Sequence, residues 1–121
     1  MRKPTRSILA SSAVATVLAC MTLIMPVTAS ADAVADGKKV AFDRKKGNCL
    51  ACHAIEGGSM AGNIGPPLVA MKARFPDKAK LRAQIWDATA KNPNTMMPPF
   101  GKHKILSEKE LDQVVEFVST L

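Results

Sequence analysis

Apolar positions along the chain fall into two regimes. From Ile8 through Leu18, Leu23 and Ile24 to Pro26 they run almost without interruption, behind a basic head of Arg2, Lys3 and Arg6. From Asp36 onward they alternate with polar residues at helical spacing. The last segment is the plainest case. Leu111, Val114, Val115, Val118 and Leu121 recur on one side, while Glu108, Asp112 and Glu116 occupy the other. Ser107 and Glu110 ahead of that run form an S-x-x-E capping box, a helix start signal in its own right. Asp36 to Lys46 reads as a first helix, capped by Asp36, with Val40, Ala41 and Phe42 as its apolar face and Gly47 at its end. Leu68 to Phe75 reads as a short helix stopped by Pro76. Asp77 to Ala90 reads as a longer one, with Leu81, Ile85 and Ala88 along one side. Trp86 on that helix is expected in the core or against a bound group. The glycines and Asn63 between Glu56 and Gly65 mark a loop. No stretch alternates as a strand does, so the pattern predicts an all-α domain with no internal repeat.

The uninterrupted apolar run ends on Ala29-Ser30-Ala31. Basic head, apolar middle and small-residue exit describe a secretory signal peptide, residues 1–31, cleaved after Ala31. Ser11, Ser12, Thr16, Thr22 and Pro26 make the same run a poor permanent span. Val17-Leu18-Ala19-Cys20 loosely resembles a lipoprotein box, but there the apolar run would have to continue past the lipid-bearing cysteine. The expected mature protein is therefore one periplasmic domain, residues 32–121, with no stable membrane anchor. The head accounts for three of the 17 basic residues and none of the ten acids, so the formal charge falls from +7 to +4 without it. That excess is too mild for a nucleic-acid groove and fits transient docking on an acidic partner surface. Arg44-Lys45-Lys46 reads as a solvated face that could also steer such a partner.

A domain this small seldom builds a sufficient core from side chains alone. Beyond residue 31 its aromatics are only Phe42, Phe75, Trp86, Phe100 and Phe117. Two of the three cysteines lie there, two residues apart, in Cys49-Leu50-Ala51-Cys52-His53. This is the C-x-x-C-H pattern of covalent haem attachment. Two intervening residues let one helical turn bring both thiols to the vinyl groups on one porphyrin edge, and the next residue, His53, supplies an imidazole to the iron. A zinc site would need two further ligands, with only His103 at hand. A thioredoxin-type pair would open a helix in a β-α-β chain, and no such alternation is visible.

The sixth position on the iron falls to Met or His, or stays open. Met97 stands directly before Pro98-Pro99-Phe100-Gly101, in a loop bounded by Asn92-Pro93-Asn94, and prolines would hold its thioether stiffly. Met96, one register step away, and His103 remain alternatives. Gly65-Pro66-Pro67-Leu68 lies between the two ligands. A carbonyl fixed there could accept the Nδ1–H of His53, with Leu68 packed on the haem; a plain turn is an equal reading.

Helix, C-x-x-C-H, Gly-Pro loop, helix, Met-Pro loop and terminal helix together resemble the class I cytochrome c fold over nearly all of residues 32–121. The resemblance implies that the first and last helices cross, with Gly37, Val40 and Phe42 against Leu111, Val114 and Phe117. It also favours the Pro66 carbonyl contact and Met97. Gly47 to His53, Met60-Ala61-Gly62-Asn63-Ile64-Gly65-Pro66-Pro67-Leu68 and Met97 to Gly101 further resemble SoxX, the monohaem subunit of the SoxAX cytochromes of thiosulfate oxidation. That resemblance implies one haem c with His53/Met97 ligation and a heterodimer with SoxA. It also implies electrons released as thiosulfate is joined to a SoxYZ carrier cysteine, then passed to a downstream cytochrome. Beyond residue 31 no cysteine remains once both thioethers form, so the sulfur chemistry is expected in the partner and this chain as its electron carrier. A free-standing electron shuttle, or an enzyme with an open iron, are the alternative classes.

Overall fold

The structure is a computed structural model that describes residues 28–121. Most of the expected signal peptide, including the Cys20 box, lies outside these residues. Among the described residues there is no strand. The elements in order are α1 (Thr28–Phe42), a 3-10 turn (Cys49–Ala51), α2 (Met71–Arg74), α3 (Lys78–Trp86), a second 3-10 turn (Ala88–Ala90) and α4 (Glu108–Val118). No described helix is long and apolar enough to cross a membrane.

The first helix differs from its expectation at both ends. It begins at Thr28, so Asp36 lies inside it and pairs with Lys39 at 3.0 Å instead of capping. The alanines at positions 29, 31, 33 and 35 are strong helix formers and carry the helix upstream. It ends four residues early because the Asp43 carboxylate accepts from the Lys45 N–H at 2.8 Å, a local turn that competes with the helix. The Gly47 N–H then closes back onto the Val40 carbonyl at 3.1 Å.

α1 packs most closely on α4. The crossing point is Gly37, where a Cβ would overlap the carbonyl oxygen of Gln113. Phe42 and Phe117 meet edge to face at 5.9 Å, and Leu111, Val114, Val115 and Val118 are buried. Burying an aliphatic side chain of this size stabilises by about 1.5–3 kcal/mol. The expected capping box is present: the Glu110 N–H donates to Ser107 Oγ at 3.3 Å, and the Ser107 N–H donates to the Glu110 carboxylate at 3.0 Å.

The segment expected as a short helix from Leu68 is helical only from Met71 to Arg74. Leu68 instead donates its N–H to the Ala54 carbonyl at 2.9 Å, and Ala70 takes a left-handed conformation before α2 begins. The helix expected from Asp77 to Ala90 is also divided. Asp77 caps α3 through the Ala79 N–H at 2.8 Å. Asp87, at φ −149°, leaves the helix, and its carboxylate accepts from the Thr89 N–H at 3.1 Å to start the 3-10 turn. Across the α3–α4 seam Lys78 pairs with Glu116 at 2.6 Å, and Arg82 pairs with Asp112 at 2.6 Å and with Glu108. Surface pairs of this kind contribute about 0–1 kcal/mol each, so apolar burial holds the seam.

Candidate cofactor site

The core is not filled by side chains alone. A cavity of about 730 Å³ lies beside the first 3-10 turn, within the roughly 300–1,000 Å³ typical of small-molecule and cofactor sites. Cys49, Cys52, His53, Pro66, Leu68 and Met97 all line it, with Phe75, Leu81, Ile85, Phe100, Leu106 and Val114 supplying most of the apolar wall. Six residues spread from Cys49 to Met97 thus share one chamber.

Local geometry explains how the Cys-Cys-His segment reaches it. Asn48 adopts φ 46°, a left-handed conformation that asparagine tolerates, and reverses the chain after Gly47. The chain then winds into a tight turn in which the Cys52 and His53 N–H groups both donate to the Cys49 carbonyl, at 3.2 and 2.9 Å. Cys49 and Cys52 are thereby brought to the cavity one turn apart. Burial, above all, pushes the Cys49 thiol up to about 11. A thiol that stays protonated at neutral pH is the opposite of the acidic thiol a disulfide-exchange site requires. The described residues also contain no group of three or more His, Cys, Asp or Glu side chains that could hold a metal ion. His103 is exposed and does not line the cavity.

His53 is fixed by the segment from Gly65 to Leu68. The Gly65 N–H donates to the Cys52 carbonyl at 2.8 Å, and the Leu68 N–H reaches Ala54. The two stretches therefore lie side by side. Between these bonds, His53 Nδ1 lies 2.7 Å from the Pro66 carbonyl oxygen. A carbonyl can only accept, so Nδ1 is the donor, and in the neutral tautomer this leaves Nε2 with its lone pair. Gly65 is needed for this fit, since a Cβ there would stand 2.5 Å from His53 Cε1 and 2.7 Å from Nδ1.

Of the two adjacent methionines, Met97 is half-buried and packs on the core, while Met96 is 75% exposed at the edge of the cavity. The Met97 N–H donates to Thr95 Oγ1 at 3.2 Å. Nothing in the sequence marks Gly65 as the contact for His53, nor Arg74, which lines the cavity and donates to the Pro67 carbonyl at 2.9 Å. No local pattern marks Arg74, because its partner lies across a turn. Trp86 packs on the core and does not line the cavity. Arg44, Lys45 and Lys46 border the opening, with Lys46 paired to Glu110.

Two close thiols on the wall, an imidazole with a free nitrogen, a part-buried thioether and an apolar chamber fit a covalently attached haem. A family model described as cytochrome C oxidase, cbb3-type, subunit III matches residues 32–118. The SoxXA structure from P. pantotrophus is similar with a TM-score of 0.64 and 27% identity, covering 71% of this chain and 79% of that one. A protein of Aquifex aeolicus (strain VF5) described as an uncharacterized lipoprotein is 33% identical over 75 residues, 61% of this chain. The match covers 36% of that relative's length, so this chain corresponds to about a third of it.

Proposed function

This chain belongs to the family described as cytochrome C oxidase, cbb3-type, subunit III, and we propose that within it the chain serves as the electron-carrying subunit of a thiosulfate-oxidising complex. It is a SoxX-like electron-transfer cytochrome of the all-α class I fold, and its haem c is covalently bound. We assign attachment to Cys49 and Cys52, and the axial positions to His53 and Met97. The observation that carries this assignment is the 2.7 Å contact between His53 Nδ1 and the Pro66 carbonyl on the wall of the cavity.

When bound, the haem supplies a one-electron ferric/ferrous couple. The residues determine where that couple sits and how it behaves. Cys49 and Cys52 tether it and prevent its loss. His53, protonated on Nδ1 by its contact with Pro66, offers Nε2 in a fixed orientation, and the hydrogen bond raises its basicity as a ligand. Met97 is a soft thioether, and His/Met ligation favours a higher potential than two histidines. Leu68, Phe100 and Leu106 exclude water, which disfavours the extra positive charge of the oxidised state. If His53 and Met97 both hold the iron, the site would suit electron relay and leave no place for substrate on it.

Similarity to SoxXA supports the finer reading. Joining the outer sulfur of thiosulfate to a protein thiol forms a disulfide-type bond and releases two electrons and one proton. A chain with one C-x-x-C-H segment takes such electrons singly, so each turnover would use this carrier twice. On this reading a SoxA-type partner supplies the sulfur chemistry, SoxYZ carries the thiol, and a downstream cytochrome receives the electrons. The basic Arg44 to Lys46 rim suits transient docking by an acidic surface. A periplasmic location follows from the leader-like first 31 residues. The Aquifex relative's description as a lipoprotein favours a second reading of location, in which Cys20 bears a lipid.

The test is to tag the protein in its native host, grow the cells on thiosulfate, and isolate it from the cell envelope. A stoichiometric second c-type cytochrome is expected with it, and the pair should be reduced by thiosulfate plus carrier protein. Recovery as a lone monomer that no added partner allows thiosulfate to reduce would make the free shuttle the better reading.

A further inference from the structure

The segment that carries Met97, from Asn92 to Lys104, contains no helix or strand of its own. Its far end rests on Trp86. The N–H groups of Gly101 and Lys102 both donate to the Trp86 carbonyl, at 3.1 and 3.2 Å. The indole lies so close to Gly101 that a Cβ there would overlap Cε3 and Cδ2 and stand 2.6 Å from Cζ3. Lys102 adds a side-chain bond to Asp87 at 2.8 Å.

Trp86 is itself held. The Arg82 guanidinium sits 5.4 Å from its ring centroid, and Arg82 is tied to Asp112 and Glu108 of α4. A connected set of contacts therefore runs from the terminal helix through Arg82 and Trp86 to Gly101. Between Gly101 and Met97 stand only Pro98, Pro99 and Phe100. Proline fixes φ, so the two prolines cannot absorb a displacement by backbone rotation as other residues would. Phe100 is buried and lines the cavity. A shift at Gly101 is thus passed on to Met97.

We propose that Trp86 is a positioning residue for Met97, the contact between its ring and Gly101 setting where the Met97-Pro98-Pro99-Phe100 segment lies over the cavity. The inference rests on Met97 being the sixth ligand. It assigns a role to a side chain that never touches the chamber. An alanine at 101 must move the ring or lift the segment, and the Arg82 ties resist movement of the ring.

The test uses the full holoprotein and reads the far-red sulfur-to-iron band of the ferric form, the pH at which that band is lost on alkaline titration, and carbon monoxide binding by the ferrous form. Gly101→Ala should lose the band at least one pH unit below the wild type and bind carbon monoxide at least tenfold tighter. Covalent haem content and helical circular dichroism should be unchanged. In a Trp86→Leu background the same glycine substitution should shift the pH of band loss by less than a third as much, because the ring it would strike has gone. Trp86→Phe, which keeps a ring against Gly101, should stay near the wild type. Equal shifts in the two backgrounds, or a wild-type band and carbon monoxide affinity in Gly101→Ala, would overturn the inference. Should Gly101→Ala fail to accumulate, Trp86→Leu against Trp86→Phe decides it: an early band loss in the first alone supports the role, and wild-type behaviour in both refutes it. Met97→Ala separates the two levels. A band that survives there removes the ligand assignment itself; a band lost there but indifferent to Gly101 and Trp86 removes only the positioning role.

Discussion

His53 Nδ1 lies 2.7 Å from the carbonyl oxygen of Pro66, thirteen residues further along the chain. The neighbouring Pro67 carbonyl is occupied as well, by Arg74 at 2.9 Å. One short Gly-Pro-Pro segment thus fixes the imidazole on one side and is itself pinned from α2 on the other.

Because Gly65 has no room for a Cβ against the imidazole, Gly65→Ala should displace His53 and impair haem incorporation. We expect the haem-to-protein ratio of purified protein to fall severalfold, measured by absorbance of the pyridine haemochrome against total protein. An unchanged ratio with a normal low-spin spectrum would show that the imidazole is not confined by this segment.

Met97→Ala should abolish the far-red band and lower the reduction potential, whereas Met96→Ala should preserve both, since Met96 is mostly exposed. Visible spectroscopy and redox titration of the two variants check this. The reverse pattern would move the ligand by one residue.

Leu111 is fully buried where α4 meets the rest of the core. Leu111→Ala removes its packing and leaves a cavity, at a cost of about 2–5 kcal/mol. Denaturant unfolding followed by far-ultraviolet circular dichroism should show a lower midpoint. A change below about 1 kcal/mol would mean that the α1–α4 crossing is not where stability resides.

Glu110 serves two structures at once. Lys46 and Ser107 hold its carboxyl down at about 2, against an ordinary 4.5. Between those values the unfolded chain binds more protons than the folded one, so this group's stabilisation is complete above 4.5 and is lost as pH falls through 2. The group is near the surface, so solvent screening keeps the contribution of the Lys46 pair small. Glu110→Gln should therefore flatten the decline in unfolding free energy between pH 5 and pH 2 without steepening it elsewhere. A parallel decline in wild type and variant would refute the coupling.

Intact mass of the exported protein checks the maturation reading. We expect a chain that starts at Asp32 and carries one haem. A species starting at Cys20 with added acyl mass would establish the lipid anchor instead.

The legible parts of this molecule are those in which cause and effect are close in sequence. Ser107 and Glu110 are three residues apart, and the Cys49 to His53 spacing is a single turn, so both could be read directly. The ends of α1 could not. Asp36 looks like a cap only if the alanines before it belong to something else, and the break at Phe42 depends on the Asp43 side chain choosing a local turn over the helix. Asp87 divides α3 from the following 3-10 turn without any glycine or proline to announce it. The Pro66 contact is not specified by its local sequence, because a Gly-Pro pair specifies a turn but not its acceptor. Arg74 on Pro67 and Trp86 on Gly101 join segments whose spacing carries no periodic signal, and only the folded arrangement brings them together.

The boundary between Ala31 and Asp32 falls inside α1, which as a continuous helix has no acidic residue in its first turn. On the proposed cleavage after Ala31, the helix would be shortened by one turn and a new positively charged amino group would stand at its start, where the aligned peptide dipoles are also positive. Asp32 would then be the first residue of the shortened helix, with Asp36 one turn later. Two carboxylates would thus offset a repulsion created only by that processing, so the proposed cleavage bond would also begin a helix already suited to its new terminus.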